Sequence, residues 1–385
     1  MKIGLVCPYN IAKGGGVQEI VKAMRVELLA RGHEVKIITP QPKDITGLDT
    51  EGIIFIGQAA DFHSPLHTTT QVSASADTEA LEQMLETEQF DVLHFHEPWV
   101  PMLSRQILSR SQCVNVATFH AKIPETIMSR TVVKVVTPYL KSVLKYLDHL
   151  TAVSDAAAEY VSGLTDEPIT IIPNGIDLKH YKRPVKPKTS QKEGHSILFI
   201  GRLEHRKGVK YLLRAYEILA KELPDVSLVL AGDGPEREKL ELLTAELELP
   251  RVTFKGFVSD SEKMQLLAES DLFCSPAIFG ESFGIVLLEA MASGLVTVAG
   301  NNSGYSAVMQ ELGAVSLVNP KDSEEFARRL KLLLTEEDLR NLWRTWSADY
   351  VKQFSYPRVV EQYEALYKLA AKEHAAKQHA LAQAA

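Results

Sequence analysis

The sequence of 385 residues has few cysteines and no long apolar run, and both absences exclude classes of protein. Its three cysteines, Cys7, Cys113 and Cys274, are an odd number and lie far apart, so we expect buried thiols in a reducing compartment rather than a disulfide framework. No segment approaches the roughly 18 uncharged apolar residues of a membrane-spanning helix. The amino terminus reaches Pro8 too early for a signal peptide and predicts a first strand. The sequence therefore predicts a cytoplasmic protein that at most lies peripherally on the inner face of the cell membrane.

Excess positive charge is also lacking. The 42 Lys and Arg residues against 49 Asp and Glu residues give a formal net charge of −7, which argues against a nucleic-acid partner held by bulk charge. The composition, 45% hydrophobic and 24% charged, is that of an ordinary globular protein. At roughly 150 residues per domain, the length predicts two domains.

Two ligand-binding signatures are missing as well. No Asp-x-Asp triplet occurs, so a carboxylate-held divalent metal is not indicated, and we expect no metal and no cofactor. The early glycines Gly14, Gly15 and Gly16 are consecutive and do not form the Gly-x-Gly-x-x-Gly dinucleotide fingerprint. Such a loop lets the backbone approach a phosphate at a helix N-terminus, or it is merely flexible.

Short apolar runs alternate with amphipathic segments along the whole chain, which predicts parallel α/β sheets. The predicted strands form two series: Ile3–Cys7, Glu34–Thr39, Ile53–Ile56, Asp91–Phe95 and Val114–Phe119, then Ser196–Ile200, Val226–Ala231, Val252–Phe254, Leu272–Cys274 and Leu295–Ala299. Between them, Lys179–Gly194 has the composition of a linker.

We therefore predict two Rossmann-like, doubly wound domains, over residues 1–172 and 173–355. A helix over residues 356–373 then crosses back to the first domain, and residues 374–385 form a flexible tail. Ligands of such sheets bind at the carboxyl ends of the strands, so a cleft between the two domains is the expected site.

Two glutamates in the second half are the most informative candidates. Glu281 precedes the free amides of a helix N-terminus, supplied by Phe283, Gly284 and Ile285, which can hold an anion or sugar hydroxyls. Glu289 follows about two turns later inside an apolar helix, where a merely solvated charge is less comfortable. We therefore interpret the pair as functional.

Three cations follow the first strand of the second series. Arg202, Arg206 and Lys207 lie at this strand end and suit a pyrophosphate, although a solvated helix start is an equally good interpretation. His94 and His96 share one side of a strand and are a weaker candidate pair of metal ligands.

Together these residues resemble the retaining glycosyltransferases of family four, which have the GT-B fold of two Rossmann-like domains facing across a cleft. The resemblance rests on the glycine loop, Pro173-Asn174-Gly175-Ile176-Asp177, the Gly201-Arg202…Arg206-Lys207-Gly208 segment and the glutamate pair with seven residues between. Within the family the chain is similar to the bacterial phosphatidylinositol α-mannosyltransferases. The segments that match that group are Gly4–Tyr9, Gly15–Gln18, Asp91–Pro98 and Val116–His120.

This resemblance implies transfer of a sugar, most closely mannose from GDP-mannose, to a lipid-linked acceptor such as phosphatidylinositol. It assigns Arg202 and Lys207 to the diphosphate, Glu281 to the sugar hydroxyls and Glu289 to the ribose. His120 would lie at the transferred sugar. The other implied donor-binding residues are Gly15, Gly16, Asn174, Arg206, Val258, Asp260, Lys263, Phe283, Gly284 and Ile285. Of these, Asp260 and Lys263 would lie near the base and favour GDP, and Tyr9, Gln18 and Trp99 would contact the acceptor.

The match is weaker for the acceptor. Residues 44–104 contain eleven acids and no Lys or Arg, and Trp99 replaces a small polar residue after the His-Glu-Pro triplet. The alternatives are a soluble glycan or metabolite acceptor with another nucleotide sugar, a sugar-nucleotide epimerase, and a binding module without turnover. A basic amphipathic stretch over residues 120–145, on a helix broken near Pro138, would suit an anionic membrane surface, or it packs its apolar side into the first domain.

Overall fold

The structure, a computed structural model, describes residues 1–63, 69–73, 77–122, 130–181 and 194–384. These residues form two compact units. Unit 1 comprises Met1–Gly175 together with Tyr356–Ala385, and unit 2 comprises Ile176–Ser355. Most of the linker predicted from composition, residues 182–193, lies outside the described residues.

Unit 1 is built on an eight-stranded sheet with the order β4-β3-β2-β1-β5-β6-β7-β8. All neighbouring strands are parallel except β3 and β4. The strands are β1 (Lys2–Val6), β2 (Glu34–Gln41), β3 (Ile53–His63), β4 (Thr69–Ser73), β5 (Val92–His96), β6 (Val114–Phe119), β7 (His149–Ala152) and β8 (Ile169–Ile171). The helices are α1 (Gly16–Ala30), α2 (Thr78–Glu88), α3 (Leu103–Leu108), α4 (Arg130–Leu144), α5 (Asp155–Ser162) and α13 (Tyr356–Ala384).

The centre of this sheet follows directly from the apolar runs. Every residue of β5 and β6 is buried, as expected for strands covered on both faces by helices. The strands β4, β7 and β8, which composition did not predict, lie toward the two ends of the sheet and are short. A short strand near the edge of a sheet buries fewer side chains, so its sequence contains fewer apolar residues from which it could be predicted.

Unit 2 has a six-stranded, all-parallel sheet with the order β11-β10-β9-β12-β13-β14. Its strands are β9 (Ser196–Ile200), β10 (Ser227–Ala231), β11 (Val252–Gly256), β12 (Leu272–Ser275), β13 (Val296–Gly300) and β14 (Leu317–Val318). Its helices are α6 (Val209–Glu222), α7 (Arg237–Glu246), α8 (Asp260–Glu269), α9 (Ile285–Ala292), α10 (Ser303–Val308), α11 (Ser323–Thr335) and α12 (Glu337–Tyr350). Short 3₁₀ helices cover His205–Lys207, Glu311–Ser316 and Val351–Phe354.

The C-terminal helix α13 belongs to unit 1. Its buried residues, Val359, Val360, Tyr363, Leu366, Tyr367 and Ala370, recur every three to four positions and so form one face. Arg31 of α1 pairs with Glu364 at 3.0 Å, and His149 pairs with Glu373 at 3.0 Å. These contacts fasten the helix to the unit along several turns.

Two details of the helices differ from the sequence predictions. Helix α13 continues to Ala384, so residues 374–384 are helical where a flexible tail was predicted, since their Ala, Gln and Lys residues are strong helix formers. Helix α4 continues through Pro138, where a break was predicted. An interior proline removes one backbone hydrogen bond and crowds the preceding turn, and α4 is nevertheless helical on both sides of Pro138.

Candidate functional site

A cluster of cations and carboxylates lies after β9 in unit 2. Glu281 Oε1 forms ion pairs with Arg206 at 2.7 Å and with Lys207 at 2.8 Å. Glu204 pairs with Arg202 at 3.1 Å and with Arg206 at 2.8 Å. Burial opposes the charge of Arg206, but Glu281 and Glu204 keep the pKa of its guanidinium above the ordinary value. The four residues predicted here from sequence therefore lie together.

Glu204 is a member of this cluster that sequence reasoning missed. Its side chain is only 12% exposed and it bridges the two arginines. The available signal was its position between Arg202 and Arg206 in one loop. With Glu204 and Glu281 counted, the cluster of three cations carries a net charge of +1, which favours the binding of an anion.

The segment that carries Glu281 turns into helix α9 through Gly284. This glycine has φ of 106°, and a Cβ there would come within 2.7 Å of the Tyr305 ring, so the turn requires glycine. The Phe283 side chain is buried edge-to-face against Phe354. Any contact of this segment with a ligand would therefore use the backbone of Phe283 and Ile285. The helix start can thus present amide donors beside Glu281.

A second cluster in unit 2 joins Asp260, Lys263 and Glu289. Lys263 Nζ lies 3.1 Å from Asp260 and 3.2 Å from Glu289 Oε1. Burial opposes the charge of Lys263, but Glu289 holds the pKa of its ammonium well above the ordinary value. Asp260 lies in the first turn of α8, fixed by a capping box between Ser259 and Glu262.

Two residues of this second cluster were not predicted. The Tyr181 hydroxyl donates to Glu289 Oε1 at 2.7 Å and accepts from Lys263 at 2.9 Å. His180 Nε2 lies 2.8 Å from Asp260. Both follow the Pro-Asn-Gly-Ile-Asp segment, which was their only sequence signal. Val258, predicted beside them, is half-buried just before α8.

In unit 1, three histidines from neighbouring strands form a buried group. His94 and His96 lie on one side of β5, and His120 follows β6. His96 Nδ1 and His120 Nε2 are 2.9 Å apart, and the rings of His94 and His96 are 4.3 Å apart. Burial lowers the pKa of His94 to about 3 and of His120 to about 4, and it lowers the pKa of His96 strongly. All three rings are therefore neutral near pH 7.

A chain of hydroxyl groups fixes the proton of His94. Thr151 donates to the carbonyl of Ala117 at 2.9 Å, so the hydroxyl of Thr118 must donate to Thr151, 2.6 Å away. Thr118 then accepts from His94 Nε2 at 2.7 Å, and His94 Nδ1 accepts from Tyr367 of α13 at 2.6 Å. Both ring nitrogens are occupied, which rules His94 out as a metal ligand.

Glu97 fixes the backbone of His120. Its Oε1 accepts from the His120 N–H at 2.6 Å, and Trp99 Nε1 donates to Oε2. Burial raises the pKa of the Glu97 carboxyl to about 7 against the effect of these donors. Glu97 itself has φ of 51°, a left-handed backbone that non-glycine residues rarely adopt. Trp99, predicted to contact the acceptor, thus hydrogen-bonds the same carboxylate that binds the backbone of His120.

Three polar atoms near these residues lack partners within the part of the chain that the structure describes. They are His96 Nε2, His120 Nδ1 and Asn174 Oδ1, and all three side chains are buried. The side chain of Asn174 lies beside His120 and raises the pKa of its ring against the larger effect of burial. Buried polar atoms normally have partners, so this group is suited to a polar ligand.

Gly15 and Gly16 of the unit 1 glycine loop have different surroundings. A Cβ on Gly15 would come within 2.4 Å of Gln18 Oε1, whereas Gly16 has open space around it. Gln18 is buried and lies 3.5 Å from the carbonyl of Asn10.

Burial raises the pKa of Tyr9, and the carboxylate of Glu97 adds to the effect. Tyr9 is thus near Glu97, while Gln18 packs against the glycine loop.

Helix α4 carries only part of the predicted basic surface. Lys141 in α4 and Lys145, just after the helix, are exposed, and the apolar residues Leu140 and Val143 of α4 are fully buried in unit 1. The side chains of Arg130 and Lys134 lie outside the described residues. The buried residues favour a helix that packs its apolar side inward. In the described ranges, no helix is both long enough and apolar enough to cross a bilayer.

Comparisons with known proteins match both units. Residues 182–347 match the family model described as Glycosyl transferases group 1, and residues 14–180 match the model described as Glycosyltransferase Family 4. The crystal structure of a glycosyltransferase from Rickettsia africae ESF-5 aligns with a TM-score of 0.75 at 20% identity, covering 96% of this chain and 98% of that one. Anabaena HepE in complex with UDP and glucose aligns with a TM-score of 0.73 at 19% identity, covering 96% and 99%.

These matches define the protein as a glycosyltransferase with the GT-B fold. A phosphatidyl-myo-inositol mannosyltransferase of Mycolicibacterium smegmatis is 30% identical over 372 residues, which are 96% of this chain and 94% of the relative. The chain therefore belongs to the glycosyltransferase family that the two models describe, group 1 and family 4.

Proposed function

We propose that the protein transfers mannose from GDP-mannose, with retention at the anomeric carbon, to a lipid-linked acceptor such as phosphatidylinositol. The observation that carries this proposal is the cluster of Arg202, Arg206 and Lys207 around Glu204 and Glu281. It combines cations for a diphosphate with a carboxylate for sugar hydroxyls. The mycobacterial relative's name supports mannose and an inositol lipid.

The proposed chemistry is a same-face substitution without an enzyme nucleophile. The bond between the anomeric carbon and the diphosphate oxygen breaks as the acceptor oxygen bonds to the same face, and the leaving phosphate takes the acceptor's proton. Arg202 and Lys207 stabilise the negative charge that develops on the diphosphate. The ion pair of Lys207 with Glu281, at 2.8 Å, holds the ammonium group beside the carboxylate proposed to bind the sugar.

In unit 1, His120 has the properties required to contact the transferred sugar. The ring is neutral, and its Nδ1 has no partner within the described residues, so it can exchange a hydrogen bond with a sugar hydroxyl. Glu97 fixes its backbone and His96 holds its Nε2. We propose that Asn174, Gly15 and Gly16 contact the donor, and that Tyr9, Gln18 and Trp99 contact the acceptor.

The choice of nucleotide rests on Asp260. We propose that its carboxylate accepts from the exocyclic amine of guanine, a group that uracil lacks. Calorimetry should show tighter binding of GDP than UDP, and Asp260→Ala should reduce the difference by about 1–3 kcal/mol. Asp225→Ala, which removes an exposed aspartate paired with Arg251 at 2.9 Å, is the control. Equal affinity of the wild type for GDP and UDP would contradict the GDP assignment.

A soluble glycan acceptor is the second candidate, and one observation favours it. Residues 44–104 contain no Lys or Arg, and an anionic lipid headgroup would need nearby cations. Co-sedimentation with anionic vesicles separates the candidates. A peripheral enzyme should bind more vesicles as anionic lipid increases, and less as salt increases or when Lys141 and Lys145 become Glu. No binding at low salt would favour the soluble acceptor.

A further inference from the structure

Tyr181 occupies a central position in the second cluster of unit 2. Its side chain is buried, and its ring lies edge-to-face with His180. Its hydroxyl donates to Glu289 Oε1 at 2.7 Å and accepts from Lys263 at 2.9 Å. Lys263 Nζ also lies 5.2 Å from the centre of the Tyr181 ring, within cation–π range. The tyrosine is therefore bound to both charged partners at once.

Both donors converge on one oxygen of Glu289. Tyr181 and Lys263 each reach Oε1, at 2.7 and 3.2 Å. Across the described parts of the chain, Oε2 has no hydrogen-bond or ion-pair partner, and the side chain is 16% exposed. Two donors on Oε1 fix the rotation of the carboxylate and leave the lone pairs of Oε2 for a ligand.

We propose that Tyr181 is a positioning residue of the nucleoside site that holds Glu289 so that Oε2 accepts a ribose hydroxyl. This inference rests on the proposed function, in which Glu289 binds the ribose. It adds a specificity determinant, because a carboxylate fixed in this way selects ribonucleotides against deoxyribonucleotides. The ribose is common to GDP and UDP, so the inference does not depend on which base is bound.

The experiment measures the affinity of the full chain for GDP, 2′-deoxy-GDP and 3′-deoxy-GDP by calorimetry, with UDP and its deoxy forms in parallel. The variant is Tyr181→Phe, which keeps the ring contacts and removes only the hydroxyl. The matched control is Tyr216→Phe. Tyr216 is also buried in unit 2, but its hydroxyl oxygen lies 2.8 Å from the carbonyl oxygens of Val226 and Pro250, outside this cluster.

The wild type should bind the ribonucleotide about three- to tenfold more tightly than one of the deoxy forms. Tyr181→Phe should weaken ribonucleotide binding by a similar factor and reduce that ratio to about one, whereas Tyr216→Phe should leave the ratio unchanged. In turnover assays, Tyr181→Phe should raise the KM for the nucleotide sugar with kcat changed less than about twofold, because its contact is equal in the ground and transition states.

Two failures are distinguishable. If the wild type binds the nucleotide and Tyr181→Phe keeps the full discrimination against both deoxy forms, the role of Tyr181 is refuted while the proposed function stands. If the wild type binds neither GDP nor UDP, the proposed function is refuted, and the role of Tyr181 with it. Thermal unfolding of both variants confirms that each remains folded.

Discussion

Single side chains carry the proposed chemistry, and Lys207 is the most direct of them to test. Lys207→Ala should reduce turnover by about 10²–10³-fold, because it removes a fixed positive charge from the leaving diphosphate. The fold should survive, since Glu281 keeps Arg206 as a partner at 2.7 Å. Steady-state kinetics with the nucleotide sugar measures the effect.

Lys239→Ala is the control for this change. Lys239 is also ion-paired, to Glu236 at 2.7 Å, but it lies on α7 and is highly exposed. Near-normal turnover of Lys207→Ala, with Lys239→Ala as the reference, would show that the cluster around Glu281 does not serve the diphosphate.

The sequence indicated much of this cluster, because Arg202, Arg206, Lys207 and the glutamate pair stand in recognisable spacing. Glu204 was missed although it lies between Arg202 and Arg206 in one loop. Tyr181 was missed because its contact with Glu289 forms only when segments distant in the chain meet. Tyr181 and Glu289 are separated by 108 positions, and no local pattern encodes that contact.

The buried histidines of unit 1 predict how stability depends on pH. The pKa values of His94 and His120 are about 3 and about 4 in the folded protein, below the ordinary 6.5. Between pH 4 and pH 6.5 the unfolded chain therefore binds more protons at these two histidines than the folded protein does. The contribution of these histidines to the free energy of unfolding should therefore be largest above pH 6.5. It should fall toward pH 4, by up to about 1.4 kcal/mol per pH unit for each histidine. Glu97, with a raised pKa of about 7, opposes this effect in part.

Chemical denaturation at pH values from 4 to 7.5 measures this dependence. His94→Gln should flatten the slope, whereas His205→Gln, at an exposed position in unit 2, should not. A wild-type midpoint that stays constant down to pH 4 would contradict the neutral, buried state of these rings.

At the level of elements, helix α13 makes the clearest prediction. Its first half buries Tyr363 and Tyr367 against β5 and β6, while residues 375–380 are exposed. Deletion of residues 375–385 should leave the unfolding midpoint within about 2 °C, because surface residues contribute little. Tyr367→Phe should cost about 1–3 kcal/mol, since His94 Nδ1 loses its buried donor.

Thermal unfolding compares these two variants with Tyr350→Phe in unit 2. Tyr350 donates to the carbonyl of Val308 at 2.9 Å and is only half-buried, so its loss should cost less. Strong destabilisation by the deletion, or none by Tyr367→Phe, would contradict the described role of α13.

The sequence predicted some strands and helices closely and missed others. The central strands β1, β5 and β6 were predicted closely, because strands buried on both faces require continuous apolar runs. The short strands β4, β7, β8 and β14 were missed, since two to five residues give too little pattern. The helical extension of α13 was missed because its Ala- and Gln-rich composition was interpreted as a tail rather than by helix propensity.

For the whole molecule, the family and the GT-B fold are established, while the donor and acceptor are proposals. An epimerase or a binding module would share parts of this architecture. What separates them is whether a sugar leaves the nucleotide and whether that step requires an acceptor.

The most direct test incubates the protein with GDP-mannose labelled in the sugar and vesicles containing phosphatidylinositol, and follows free GDP and labelled lipid together. We expect equimolar GDP and mannosyl lipid, with the α-configuration of the donor retained and almost no GDP release when the acceptor lipid is left out. Lys207→Ala should abolish both signals. The proposed function would be refuted by GDP release that is independent of any acceptor, by conversion of the sugar while it is still attached to the nucleotide, or by no release with any lipid or glycan acceptor.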